Sequence, residues 1–168
     1  AIADCAPQSN GCAGEQVTVL GRAAPWKTGA GMHWVTGDWK EVLRVPLLRG
    51  RAIADGDRKG SSHVAVVSET AARQFWPNDD AVGQRMIVQG ADTVTVVGVV
   101  GDVRYFDMRL PPRPDIYVSY YQFPMSFRMM LLLRTNGAPA SLSEAIRRAL
   151  REVAPGFPVY NVAKLDDL

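Results

Sequence analysis

The chain is short of the residues that make metal sites and nucleophiles. It has two cysteines, Cys5 and Cys12, and two histidines, His33 and His63. No Cys-x-x-Cys or paired-histidine spacing occurs, and the histidines lie far from the cysteines in sequence, so the linear pattern holds no zinc motif. Long apolar runs are missing too. The longest, from Met129 to Leu133, has strand length, against the roughly 18 residues that suggest a membrane span. Charge of one sign is also lacking. The net charge is +2 with no basic stripe, which argues against a nucleic-acid partner. Arg147, Arg148 and Arg151 read as the solvated face of one helix.

The phosphate and hydrolase motifs fail in turn. Gly98-Val-Val-Gly-Asp-Val-Arg104 lacks the Gly-x-Gly-x-x-Gly pattern, and no helix follows to present its N-terminus to a phosphate. Its glycines, Gly98 and Gly101, suit close backbone approach or bulges, and Asp102 and Arg104 read as a local pair. A nucleophile elbow at Ser68 needs glycines where Val66 and Thr70 stand. Asp79 and Asp80 lack the spaced partners of a calcium loop. His33 and His63 read as surface or half-buried side chains. No catalytic residue, metal set or cofactor is therefore expected.

What is present suits one domain or two small lobes. The chain has 168 residues, 47% of them hydrophobic and 21% charged. It begins at Ala1 and reads as a piece of something larger. Residues 16–20 and 32–36 suit short strands, and 23–31, with Pro25, Gly29 and Gly31, reads as loop. Trp26 and Lys27 in that loop are candidates for partner contact, because an exposed aromatic suits an interface. Residues 38–44 suit a short helix with Gly37 and Asp38 as capping candidates.

Val64 to Val67 reads as a buried strand. Ser68 is a natural N-cap for the helix that follows, and Pro77 stops that helix near Trp76. Residues 83–89 and 93–100 suit a hairpin turning at 89–92. Residues 116–120 and 127–134 suit strands. Ser141 and Glu144 make a capping box, and Leu142, Ala145, Ile146, Ala149, Leu150 and Val153 recur at helical spacing. A strand over 157–162 completes a strand–helix–strand unit with parallel strands. Tyr105, Phe106, Met108, Leu110, Tyr120, Tyr121, Phe123, Met125 and Phe127 are expected to form an inter-lobe core. The whole is α+β.

Several pieces then line up in one order. They are Val45-Pro-Leu-Leu-Arg-Gly-Arg51, the run from Val64 to Phe75-Trp76-Pro77, Val82-Gly-Gln-Arg85, Val94 to Arg104, and Arg113-Pro-Asp-Ile-Tyr-Val-Ser-Tyr120 with Gln122. This series resembles the extracytoplasmic core domain of MacB/FtsX-type ABC transporter permeases, the large duplicated permeases above all. The resemblance implies a porter-like αβ lobe (1–15 and 124–168) carrying an inserted β-rich lobe (16–123). The family strand and helix that usually precede this point are missing, which leaves the porter-like lobe incomplete and prone to pair as a homodimer through an open edge. It places Trp76 as the anchor of a helix end.

The resemblance also implies a setting. The domain would sit on the periplasmic or extracytoplasmic face of a bacterial inner membrane, as part of a membrane protein. Its partners would be the transmembrane helices of the parent permease, a separate ATPase subunit or domain, and a periplasmic adaptor or lipoprotein. It would be non-catalytic, coupling helix motion to substrate export. In an exported domain, two nearby cysteines are best read as a disulfide, Cys5 to Cys12. The alternative reading is an extracytoplasmic small-molecule sensor using the inter-lobe cleft. A hydrolase is a third, for which the catalytic groups are not visible.

Overall fold

The computed structural model describes residues 1–7, 12–21, 26–89, 92–105, 109–124, 129–137, 142–156, 158–159 and 162–165. The expected positions Ser141, Phe106, Met108, Met125, Phe127 and Phe157, and the turn residues Gly90 and Ala91, lie outside them. Two compact units result, Ala1–Leu132 and Leu133–Leu168. Strand β1 (Ile2–Ala3) belongs to the first unit with the other strands.

The first unit is built on a mixed sheet that closes on itself. Its strands are β1, β2 (Ala13–Val19), β3 (Trp26–Val35), β4 (Leu47–Gly50), β5 (Val64–Ser68), β6 (Arg85–Val88), β7 (Asp92–Val100), β8 (Asp115–Ser119) and β9 (Met130–Leu131). Strand β2 pairs with both β3 and β6. The pairings then run β6–β7–β5–β8–β3 and return to β2, a ring of six strands. Pairs β3–β8 and β5–β7 are parallel, and the rest of the ring is antiparallel. Closure leaves no free edge within the ring. Strands β1 and β9 extend from β3, and β4 lies on β7.

Strand alternation sorts the side chains between two cores. Val17 and Val19, Ala30, Met32 and Trp34, Ala65 and Val67, Met86 and Val88, and Ile116 and Val118 pack together as one cluster. The intervening residues Val35, Val64, Val66 and Tyr117 form a second cluster with Ala3, Cys5, Trp39 and Tyr105. The first fills the ring, as expected of a small barrel whose interior is side chains. The second is the outer face, covered by the N-terminal residues and the short helix α1 (Trp39–Leu43). Strand β5 is therefore buried on both faces.

Helix α2 (Glu69–Phe75) adds Ala71, Ala72 and Phe75 to the interior. Ser68 Oγ accepts from the Ala71 N–H at 3.1 Å. Asp102 adds a second cap: it accepts from the Thr70 N–H at 2.8 Å and from the Thr70 hydroxyl at 2.8 Å. Arg73 lies 3.7 Å from the same carboxylate. Asp102 thus serves the start of α2, where a carboxylate also meets the helix dipole, rather than Arg104. Trp76 is the C-cap and is buried in the interior, and Pro77 follows it.

Glycines set the seam between β4 and β7. The β5–β7 register skips Val97, which is a bulge. A bulge reverses the inside–outside parity, so Val94 and Val96 point inward before it and Val99 after it. A Cβ at Gly98 would collide with the Arg51 carbonyl oxygen, and one at Gly101 would lie 2.9 Å from Pro46 Cγ. Beyond the seam, Arg51 makes a two-pronged ion pair with Asp57, at 2.7 and 2.9 Å.

Two expectations are corrected. The loop over 23–31 is strand from Trp26 onward, because β2 offers a continuous ladder from Ala13 to Val19 that accepts even Gly29 and Gly31. Of the strand expected over 127–134, the described residues form strand at Met130–Leu131, antiparallel to β1. The second unit contains α3 (Ser143–Val153). Its N-cap is Leu142, without a side-chain cap bond, and no residue of the helix is buried. Among the described residues no strand follows it.

The seam gives a direct contrast between two strand glycines. Gly98→Ala should lower unfolding stability by about 1–3 kcal/mol, the usual range of overpacking. Gly29→Ala, which meets nothing within 4 Å, should change it by less than about 0.5 kcal/mol. Denaturant melts of the two variants check this; equal effects would contradict the seam.

Candidate functional site

The unusual chemistry of the molecule lies on the outer face of β3. Alternation puts Met32 and Trp34 inside the ring, so His33 points outward. It is 1% exposed. The expectation of a surface or half-buried His33 is corrected: residues 1–6, Trp39 and Tyr105 cover the face it occupies. Its Nε2 lies 3.0 Å from Asp115 Oδ1, at the start of β8, and β3 and β8 are paired in parallel there. Gly31 makes room for this pair, because a Cβ at that position would collide with Asp115 Oδ1.

The other ring nitrogen faces the N-terminal segment. His33 Nδ1 is 3.5 Å from Cys5 Sγ and 3.8 Å from Asp4 Oδ1. Asp4 is fixed to β3 through Trp34: its N–H donates to the Trp34 carbonyl at 3.1 Å, and its Oδ1 accepts from the Trp34 N–H at 3.2 Å. The imidazole stacks on Tyr105 with centroids 4.0 Å apart and on Tyr117 at 5.1 Å. Trp39 continues the stack on Tyr117 at 4.2 Å.

Burial alone would favour neutral His33. Its hydrogen bond to Asp115 and the negative charges of Asp115 and nearby Asp4 outweigh burial and hold its pKa above the ordinary histidine value. Burial pushes the phenols of Tyr105 and Tyr117 upward, so both stay protonated.

Cys5 and Cys12 stand at disulfide-bonding distance, with Cα atoms 5.3 Å apart. Cys5, His33 and Asp115 have the order of a thiol–imidazole–carboxylate relay. Yet the sulfur is bonded to Cys12 and Cys5 is 1% exposed, so no substrate reaches it. The geometry is that of a packed polar cluster, not of an open catalytic cleft.

The other expected residues are placed elsewhere. Trp26 begins β3 and meets Phe75 edge to face, with centroids 5.8 Å apart, so it packs on the interior rather than projecting freely. Lys27 beside it is exposed. Gly98, Gly101, Asp102, Trp76 and Pro77 serve the β4–β7 seam and the two ends of α2, and Arg104 is exposed. His63 is half-buried, 4.6 Å from the Phe123 ring. A cavity of about 20 Å³ between Tyr105 and Arg113 has room for a single water. An open groove crosses the β2–β3 hairpin between Gly14, Gly29, Gly31 and Pro114.

Sequence reasoning missed the His33 cluster. Its members, 4, 5, 12, 33, 105, 115 and 117, are spread over the whole unit. The available signal was a histidine in a strand whose neighbours alternate into a core.

The ring and its buried polar cluster define a β-rich module closed by β2. No described helix is long and apolar enough to cross a membrane. The model of the MacB-like periplasmic core domain matches residues 2–149, and the chain belongs to that family. The fold is like that of the periplasmic region of MacB from Actinobacillus actinomycetemcomitans, with a TM-score of 0.62 and 14% identity over 91% of this chain and 66% of that one. It is also like the extracellular domain of the noncanonic ABC-type transporter YknZ from Gram-positive bacteria, with a TM-score of 0.62, 15% identity, and coverage of 97% of this chain and 80% of that one. This chain thus spans just under two thirds of the MacB region. Comparison with curated proteins gives no match.

The buried pair carries a measurable load. Asp115→Ala leaves His33 buried without its main partner and should destabilise the unit by about 3–5 kcal/mol. The same change at exposed Asp55 should cost less than about 0.5 kcal/mol. Chemical denaturation reads both, and an Asp115→Ala effect below about 1 kcal/mol would contradict the pairing.

Proposed function

We propose that this domain is the extracytoplasmic part of an ABC-type permease. It couples the motion of transmembrane helices, driven by a separate cytoplasmic ATPase, to export of a substrate or to a periplasmic adaptor or lipoprotein. The carrying observation is the family match over residues 2–149. The likeness to MacB and YknZ domains supports the fold on which that reading rests.

In this reading residues 124–168 form the porter-like lobe next to the membrane, while residues 1–15, expected with that lobe, pack on the ring and are carried outward with 16–123. Two features support such a division of labour. Helix α3 has an apolar face of Ala145, Ile146, Ala149, Leu150 and Val153, yet none of these is buried, and Val153 is 84% exposed. A face of that kind calls for a cover, whether the rest of the parent chain or a second copy. The six-stranded ring, by contrast, is internally complete and suits a rigid body that transmits force. The candidate contact to a periplasmic partner is the β2–β3 hairpin end, where Lys27 is exposed beside the packed Trp26.

Transport by the parent permease in proteoliposomes tests the coupling. A covalent crosslink that ties the two units together should abolish transport while ATP hydrolysis continues. Unchanged transport with the crosslink in place would remove the lever role.

A further inference from the structure

The structure assigns Cys5, Cys12 and His33 as a redox-gated site for a thiophilic closed-shell cation of the zinc type, formed when the disulfide is reduced. The ligand atoms of these three residues lie within 4.8 Å of one another. The Cys5 Sγ to His33 Nδ1 distance is 3.5 Å. A tetrahedral zinc with ordinary Zn–S and Zn–N bonds has an S-to-N edge of about 3.6 Å. Two of the three ligands therefore already stand at the spacing a bound ion requires. The two sulfurs must part, from bonding distance to about 3.8 Å, with Cys12 Sγ coming to rest about 3.6 Å from Nδ1.

The surroundings suit the ion. Metal-binding histidines commonly give their second nitrogen to a carboxylate, which fixes ring and tautomer. Here Nε2 is held by Asp115 at 3.0 Å, which leaves Nδ1, once it gives up its proton, as the ligand atom facing the sulfur. Stacking on Tyr105 keeps the ring plane in place. Asp4 Oδ1, 3.8 Å from Nδ1, is the nearest candidate for a fourth ligand. Two carboxylates face this one imidazole, so a buried cation meets compensating charge. Cys5 and His33 are buried, but Cys12 is half-buried and gives the ion a way in.

The chemistry balances. A dithiol donor passes two electrons and two protons to the Cys5–Cys12 bond and itself becomes a disulfide. The ion then displaces the two thiol protons and the proton on His33 Nδ1, and binds both thiolates and the imidazole. Reoxidation by a disulfide donor expels the ion. The site thus reports thiol redox state at the point where the N-terminal segment crosses β3. This inference stands on the geometry of the cluster and does not depend on the permease reading.

Cobalt(II) is the probe, added to the 168-residue chain under anaerobic conditions. The reduced protein should bind one equivalent with thiolate-to-cobalt charge-transfer absorption, and zinc should displace it. The oxidised protein should bind at least about 100-fold more weakly. Cys12→Ser should remove most of the charge-transfer band, and Asp115→Asn should weaken binding by about 10- to 100-fold. His33→Asn is the direct test of the nitrogen ligand. If that variant fails to fold, the imidazole nitrogen resonances of reduced wild-type protein serve instead, and Nδ1 of His33 should shift on zinc addition while those of His63 do not. Absence of the charge-transfer band in folded, reduced protein, equal binding in both redox states, or an unmoved His33 resonance would each overturn the assignment.

Discussion

The double pairing of β2 is the constraint on which the first unit depends. Its Ala13–Val19 ladder holds β3 on one side, and its Thr18 and Val19 hold β6 on the other. Without those few bonds to β6 the six strands would be an open sheet with two free edges. With them, one face of every strand looks into a closed interior, which Phe75 and Trp76 from the α2 region help to fill. Closure also decides what counts as outside. The outer face of β3, β5 and β8 needs its own cover, and the N-terminal residues, α1 and Tyr105 supply it.

That second layer explains the location of the polar cluster. A histidine inside the ring would stand among Val, Met and Trp without partners. On the outer face it reaches Asp115 across a parallel strand pair and Asp4 from the covering segment. Because Gly31 leaves space for the carboxylate, the pair closes without moving either strand. Cys5, next to Asp4, and Cys12, at the start of β2, tie the covering segment to the ring. The covering segment, the histidine and the ring are thus one mechanical unit. In the proposed permease, such a unit would pass force between the membrane and a partner without deforming.

Much of this fold was legible in the residues. Ser68 and Pro77 mark the two ends of α2, and the Val-rich runs around 64–67 and 93–100 are strands. The hairpin strand over Trp26 to Gly31 was not legible, because glycine and alanine carry no strand preference of their own and the ladder comes from β2. The parity change in β7 was hidden for a related reason: the valines on both sides of Gly98 look alike until the bulge assigns them to different cores. Asp102 looked like a partner for Arg104 because they are neighbours in sequence, whereas the unsatisfied N–H groups of α2 attract it more strongly. The His33 cluster was the least visible part. No local spacing joins residues 4, 5, 33 and 115, and only ring closure with its covering layer brings them together.

Placement relative to the membrane tests the central claim most directly. Exposed Lys27, changed to cysteine in the parent permease, provides a labelling handle on this domain; a Cys5→Ser, Cys12→Ser background keeps the native pair from contributing. A membrane-impermeant maleimide applied to intact spheroplasts should label it as fully as it does after the membrane is permeabilised. Labelling that appears only after permeabilisation would put the domain on the cytoplasmic side and contradict the account.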